Sequence, residues 1–341
     1  MKVYGRRELI LMNNRNQRYK LLDIARFIFA FLVVTVHVPV GGGNFLRTIS
    51  CLAVPYFYML TAFFLYKEDA NQFAHSLKVT IKKCGLMWLK FFMILSVGAI
   101  AFKLYYHNDL SWTSKDFFDQ FIMYGNCHAA EVVNYNGKDY GTSALWFLYG
   151  EFISLAIIYP VRRMFHSVLT PWLIIVPFFI ITTYVNYHEY FFPRILSTPL
   201  VFLSVGLLMR RVIEYLKSKQ LFRYRYLTIG AVTSFIVSVL EQYLLNCDFY
   251  SRFSLLPFAV FVFALLVKLN DINIIDRVST FNVKIPMYIY IWHRFIYLIM
   301  VAVIGLSIYK IDAILVYLVS SVIIYIVLRV LENNIIYKRT D

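Results

Sequence analysis

Apolar runs of about twenty residues, enough to cross the hydrocarbon core as a helix, recur along the whole chain. A chain built this way must satisfy its backbone inside lipid, which leaves helices or a closed barrel. Barrel strands would appear as alternating segments of about ten residues, and the sequence has none of that pattern. Only 16% of the 341 residues are charged while 60% are hydrophobic; a soluble domain carries about a quarter charged residues. The expectation is an all-α, polytopic membrane helical bundle.

Ten spans fit the pattern best: 21–40, 49–66, 84–105, 145–164, 168–187, 194–211, 226–246, 252–269, 285–308 and 311–331. With the N-terminus inside, the outer segments hold only Arg47, Lys103, Lys115, Lys138, Arg194, Arg252 and Lys310, and apart from Arg26, Lys90 and Arg294 within spans the other basic residues fall to the inner segments. Excess Lys and Arg mark cytoplasmic segments, so both termini are expected in the cytoplasm. The same distribution argues against nucleic acid as the partner of a +15 chain, because the charges flank apolar runs rather than forming an aromatic-studded patch. The chain reads as one membrane-embedded domain over 1–341. It comprises a basic N-terminal segment at 1–20, an extracytoplasmic loop at 106–144 that could serve as a lid or acceptor surface, and a cytoplasmic tail at 332–341. The first apolar run carries charges and lacks a small-residue cleavage site, so it reads as a retained span and not a signal peptide. Cys51, Cys84, Cys127 and Cys247 have no metal-binding or redox spacing. Free thiols are expected, a Cys127–Cys247 disulfide being the alternative if both face outward.

The first span, DIARFIFAFLVVTVHV, contains three ionisable groups, Asp23, Arg26 and His37. Each costs about 2.5–3.5 kcal/mol at mid-bilayer and less near the interface. From 26 to 37 is eleven positions, almost three turns, so both side chains share a helix face about 16 Å apart along the axis. Asp23 lies one turn before Arg26 on nearly the same stripe. Taken singly, Asp23 and Arg26 also fit a local ion pair, and His37 fits a neutral imidazole bonded to a backbone carbonyl. Together they fit the lining of one cavity.

The stretch LLDIARFIFAFLVVTVHV, with ten residues between Arg26 and His37, resembles the first span of acyltransferase family 3. Three further segments resemble that family in the same order: AVPYFYMLTAFFLYK at 53–67, SALWFLYGEFISLAIIYPV at 143–161 and IPMYIYIWHRFI at 285–296. Thr61-Ala62 stands where Ser-Gly is common, Ala144 where many relatives carry His, and Lys82-Lys83 where arginines are usual, with Lys90 as a substitute for one. The resemblance implies an integral-membrane enzyme that moves acyl groups, often acetyl, from cytoplasmic acyl-coenzyme A to extracytoplasmic sugars and related acceptors. Acetyl-CoA would then be the donor co-substrate, no metal would be needed, and a glycan or lipid-linked sugar and membrane lipid would be the partners. The setting would be the cytoplasmic (inner) membrane.

On that footing His37 is the expected base for the acceptor hydroxyl, an imidazole being suited to proton transfer near neutrality. A transient acyl-His37 is the less favoured variant. Arg26 would pair with donor phosphates, and the pantetheine arm would run along the helix to His37. Glu151 is expected either to orient an imidazole or to bridge helices. His293 and Arg294 would hold the donor nucleotide, or else form a packed histidine beside a snorkelling arginine. Glu241 reads as a solvated interfacial carboxylate. Two rival readings remain: a transporter or flippase using Arg26, His37 and Glu151 as ligands, and a non-catalytic scaffold.

Overall fold

The computed structural model describes residues 19–38, 43–107, 133–135, 138–140, 145–167, 169–187, 191–245, 252–270, 284–302 and 312–337. The N-terminal segment 1–18, most of the 106–144 loop, Cys127 and Cys247 lie outside them. The described chain is helical. Its elements are α1 (Lys20–His37), α2 (Gly43–Ser50), α3 (Ala53–Leu65), α4 (Ala70–His107), α5 (Trp146–Val161), α6 (Trp172–Tyr187), α7 (Phe191–Ser218), α8 (Tyr224–Leu245), α9 (Leu255–Leu269), α10 (Ile285–Ala302) and α11 (Ala313–Tyr337). The loop between α4 and α5 contributes a short antiparallel hairpin, β1 (Val133–Tyr135) with β2 (Lys138–Tyr140), in which Val133 faces Tyr140.

Among the described residues, four stretches are long and apolar enough to cross a membrane: Thr48–Leu65, Leu196–Ser218, Tyr224–Leu244 and Ala313–Val330. Two shorter apolar helices, Trp172–Tyr184 and Leu255–Leu269, accompany them. α1 spans 18 residues but carries Lys20, Asp23 and Arg26, and so needs protein neighbours for those charges. The basic segment read as preceding the third span is helical, because α4 starts at Ala70 and runs unbroken for 38 residues. The second span is interrupted by a turn at Cys51 and Leu52 between α2 and α3. α11 continues to Tyr337, into the stretch read as tail.

α7 is the hub, packing against α3, α5 and α6, with α4 behind α5. α1 bridges two groups, touching α3 on one flank and α10 and α11 on the other. α3 and most of α7 are buried, whereas α8 and α11 expose much of their apolar surface, as helices facing lipid do.

Local features fix the ends of the helices that matter here. The first N–H groups of a helix have no partner within it, and Leu21 N–H donates to Oδ1 of Asn270, 3.1 Å away at the end of α9. α1 stops because Pro39 follows Val38, which adopts the extended conformation that a residue before proline favours. Glu241 is no free interfacial carboxylate: it accepts the backbone N–H groups of Phe253 at 3.2 Å and Ser254 at 2.9 Å, and the Ser254 hydroxyl. It thus caps the start of α9, where negative charge is favoured. Arg252, expected in an outer segment, is fully buried beside it, donating from Nη1 to the Thr48 and Ser238 hydroxyls at 3.1 Å each.

Candidate active site

Both polar ends of α1 face α10. At the first end, Nη1 of Arg26 stands 3.5 Å from Asp23 Oδ1, the i, i+3 pairing that their spacing suggests, with both side chains partly exposed. The same turn is held to α3 by Tyr56, which donates its hydroxyl to Leu22 O at 2.6 Å and stacks on Phe29 with ring centroids 3.9 Å apart. Arg26 lines a cavity of about 270 Å³ whose wall is built from α1, α3, α4, α5 and α10.

Glu151 lines this cavity too, on a buried position of α5. Its carboxyl accepts hydrogen bonds from the Thr61 hydroxyl and the Cys84 thiol, with the Lys83 ammonium close enough to act on it electrostatically. Thr61 lies on α3 and Cys84 on α4, so Glu151 ties three helices together at the cavity wall. Of the two roles weighed for it, bridging is the one this geometry offers; its partners do not include His37.

Lys83 completes the cavity's charge, giving Arg26 and one ammonium against one carboxyl. Lys90, expected to substitute for a family arginine, is exposed and is not among the residues lining the cavity. The wall is otherwise aromatic and apolar. Phe57, Phe147 and Tyr290 form a three-ring cluster there, with Phe147 to Tyr290 at 4.7 Å, Phe57 to Tyr290 at 6.1 Å and Phe57 to Phe147 at 6.2 Å.

His37 lies beyond that cluster and does not line the cavity. Its ring packs against His293 of α10, centroids 5.3 Å apart and planes tilted by 31°. Tyr290 connects the two regions, lining the cavity while its ring lies 6.2 Å from that of His293. His293 is fully buried, with Nδ1 2.8 Å from Tyr290 O and 3.1 Å from Ile289 O. The Arg294 guanidinium acts electrostatically on both imidazoles. His293 and Arg294, expected near the donor nucleotide, therefore sit with His37 and not with Arg26.

The profile of the acyltransferase domain of acyltransferase family 3 matches residues 19–330. The chain belongs to acyltransferase family 3. All the residues singled out above, Asp23, Arg26, His37, Glu151, His293 and Arg294, fall inside the match. Membership makes the chain a membrane acyltransferase, with an acyl donor and an acceptor as its substrates. No curated protein and no solved structure gives a significant match. Among the described residues, no group of three or more His, Cys, Asp or Glu side chains is placed to hold a metal ion.

Several residues of the candidate site carry no clear signal in the local sequence. Thr61 was visible only as a departure from a family pattern, and its bond to Glu151 spans two helices. Lys83 and Cys84 sit in a basic stretch that gives no hint of a cavity. The proximity of His37 to His293 had no sequence signal beyond membership of both in family-like segments.

Proposed function

We propose that the chain is an O-acyltransferase, in particular an O-acetyltransferase, moving acetyl from cytoplasmic acetyl-CoA to a hydroxyl on an extracytoplasmic envelope glycan or related acceptor. The observation that carries this reading is the disposition of α1: a guanidinium at one end opening on a cavity, an imidazole at the other, and both turned to α10. The distribution of basic residues supports combining it with ten spans in the inner membrane and both termini in the cytoplasm.

Arg26, supported by Lys83, binds the anionic part of the donor, since charge-assisted hydrogen bonds to phosphate are the strong ones. Asp23 adds a weak, partly exposed ion pair with Arg26. The cavity of about 270 Å³ lies below the 300–1,000 Å³ usual for ligand pockets, so it takes the pantetheine end and leaves the nucleotide outside. The acyl group passes the Phe57, Phe147 and Tyr290 rings to reach His37. His37 removes the proton of the acceptor hydroxyl as its oxygen attacks the thioester carbonyl. The carbon–sulfur bond then breaks, and the coenzyme A sulfur leaves with the proton that His37 held. The products are an ester and free coenzyme A, so the proton count closes.

Membranes containing the protein, supplied with radioactive acetyl-CoA, should pass label to an envelope glycan, and that glycan should gain one acetyl mass relative to cells lacking the protein. His37→Ala should abolish both signals. Glycans unchanged in mass, with solute moved and no thioester consumed, would restore the transport reading.

A further inference from the structure

His293 is held in a way that defines its chemistry. Backbone carbonyls only accept hydrogen bonds, so an Nδ1 lying 2.8 and 3.1 Å from two of them must carry a proton. In the neutral ring that leaves Nε2 as a bare lone pair. It is buried and, among the described residues, has no hydrogen-bond partner, which is costly for a polar atom without a purpose. The ring beside it is that of His37, 5.3 Å away between centroids; at that separation nitrogens on facing ring edges fall within hydrogen-bond length. An acceptor-only nitrogen also repels phosphate oxygen, so this face of His293 does not suit a phosphate group.

We propose that His293 is a positioning residue for His37: its Nε2 accepts an N–H from the His37 ring while that ring holds the acceptor's proton, fixing the ring's orientation and spreading its charge. The Ile289 and Tyr290 carbonyls set the tautomer of His293, so the pair works in one direction. Among the described residues, Arg294 acts electrostatically on both rings and the Tyr290 ring lies 6.2 Å from that of His293. This inference rests on the reading of His37 as the base.

The test compares His293→Asn, His293→Gln, His37→Ala and the double variant His37→Ala/His293→Asn in membranes, with radioactive acetyl-CoA as the varied substrate and folded protein measured in parallel. Asn retains an N–H able to reach the Ile289 and Tyr290 carbonyls but removes Nε2; Gln places an amide oxygen near its position. The expected result for Asn is a kcat lower by about ten- to a hundredfold, the size of one charge-assisted hydrogen bond, with KM for acetyl-CoA little changed. Gln should recover part of that loss, and the double variant should be no slower than His37→Ala alone. A His293→Asn enzyme with normal kcat, one whose only defect is a raised KM, or a rate loss that tracks folded protein equally in Asn and Gln would overturn the proposal. Full activity in His37→Ala would instead overturn the reading beneath it.

Discussion

Gly206 of α7 approaches Met59 of α3 so closely that an added Cβ would stand 2.5 Å from the Met59 carbonyl oxygen, 2.7 Å from its Cα and 2.8 Å from the Ala62 Cβ. Two of these neighbours are backbone atoms and cannot swing aside. Small residues at such crossings let helices approach closely in membranes, where packing replaces the hydrophobic drive between helices. Thr61, which lines the cavity with Glu151, is one residue from Ala62 on the same helix. Gly206→Ala should therefore separate α3 from α7 and cost about 1–3 kcal/mol, the scale of overpacking in a filled interior. Thermal unfolding of the purified protein in detergent should show the drop, and acetyl transfer should fall with it. An unchanged unfolding temperature would mean that the two helices can part without penalty.

Arg26 and Asp23 separate binding from packing. Arg26→Gln removes the guanidinium from the cavity but keeps a polar side chain there. The expected outcome is a KM for acetyl-CoA raised by about ten- to a hundredfold, from the loss of a charge-assisted contact, with kcat changing less. Asp23→Asn should do little, because a partly exposed pair at 3.5 Å contributes no more than about 1 kcal/mol. Initial rates over a range of donor concentrations distinguish the two. Equal effects from both substitutions would show that Arg26 matters only as Asp23's partner.

Much of α1 was legible in advance because its information is local. The Asp23–Arg26 pairing follows from a three-residue step and the common face of Arg26 and His37 from an eleven-residue step, both set by helix geometry. The partners of that face were hidden. An apolar stripe that avoids water looks the same whether it meets lipid or another helix, so nothing in the pattern placed His293 beside His37 or Cys84 beside Glu151. Charge signals failed for a related reason. Glu241 and Arg252 sit where interfacial charges are expected, yet one caps α9 and the other is buried between hydroxyls, and such roles depend on how a loop folds back. The break at Cys51 and Leu52 was equally silent, since an apolar run stays apolar across a turn.

Glu151 is predicted to hold helices and not to transfer protons. Its carboxyl satisfies the Thr61 hydroxyl and Cys84 thiol inside the bundle. Glu151→Gln keeps an acceptor oxygen, so the fold should survive and the rate should fall by far less than the 10²–10⁴-fold that removal of an acid–base group causes, that is, by under about tenfold. Glu151→Leu strands both donors and should cost about 1–3 kcal/mol for each one left unsatisfied. Unfolding temperatures and transfer rates for the two variants are the measurements. An inactive but fully stable Glu151→Gln enzyme would assign the carboxyl to the chemistry.

Phe147 should govern which acyl groups are accepted. It lines the cavity, stacks on Tyr58 with centroids 4.3 Å apart, and lies 4.7 Å from Tyr290, the ring that connects the cavity to His293. On the proposed route an acyl group moving from the Arg26 cavity to His37 passes this cluster, beside a cavity of about 270 Å³. Phe147→Leu removes ring atoms from this cluster while keeping it apolar. It should raise the rate with propionyl- and butyryl-CoA relative to acetyl-CoA, since each added methylene is worth about 0.8 kcal/mol where it can be buried. Phe147→Trp fills the same space and should slow every donor, the longer ones most. Competition between labelled donors in membranes reads the ratio directly, independent of how much protein each variant yields. If the ratio stays at its wild-type value in both variants, the acyl group reaches His37 by a route that avoids these rings.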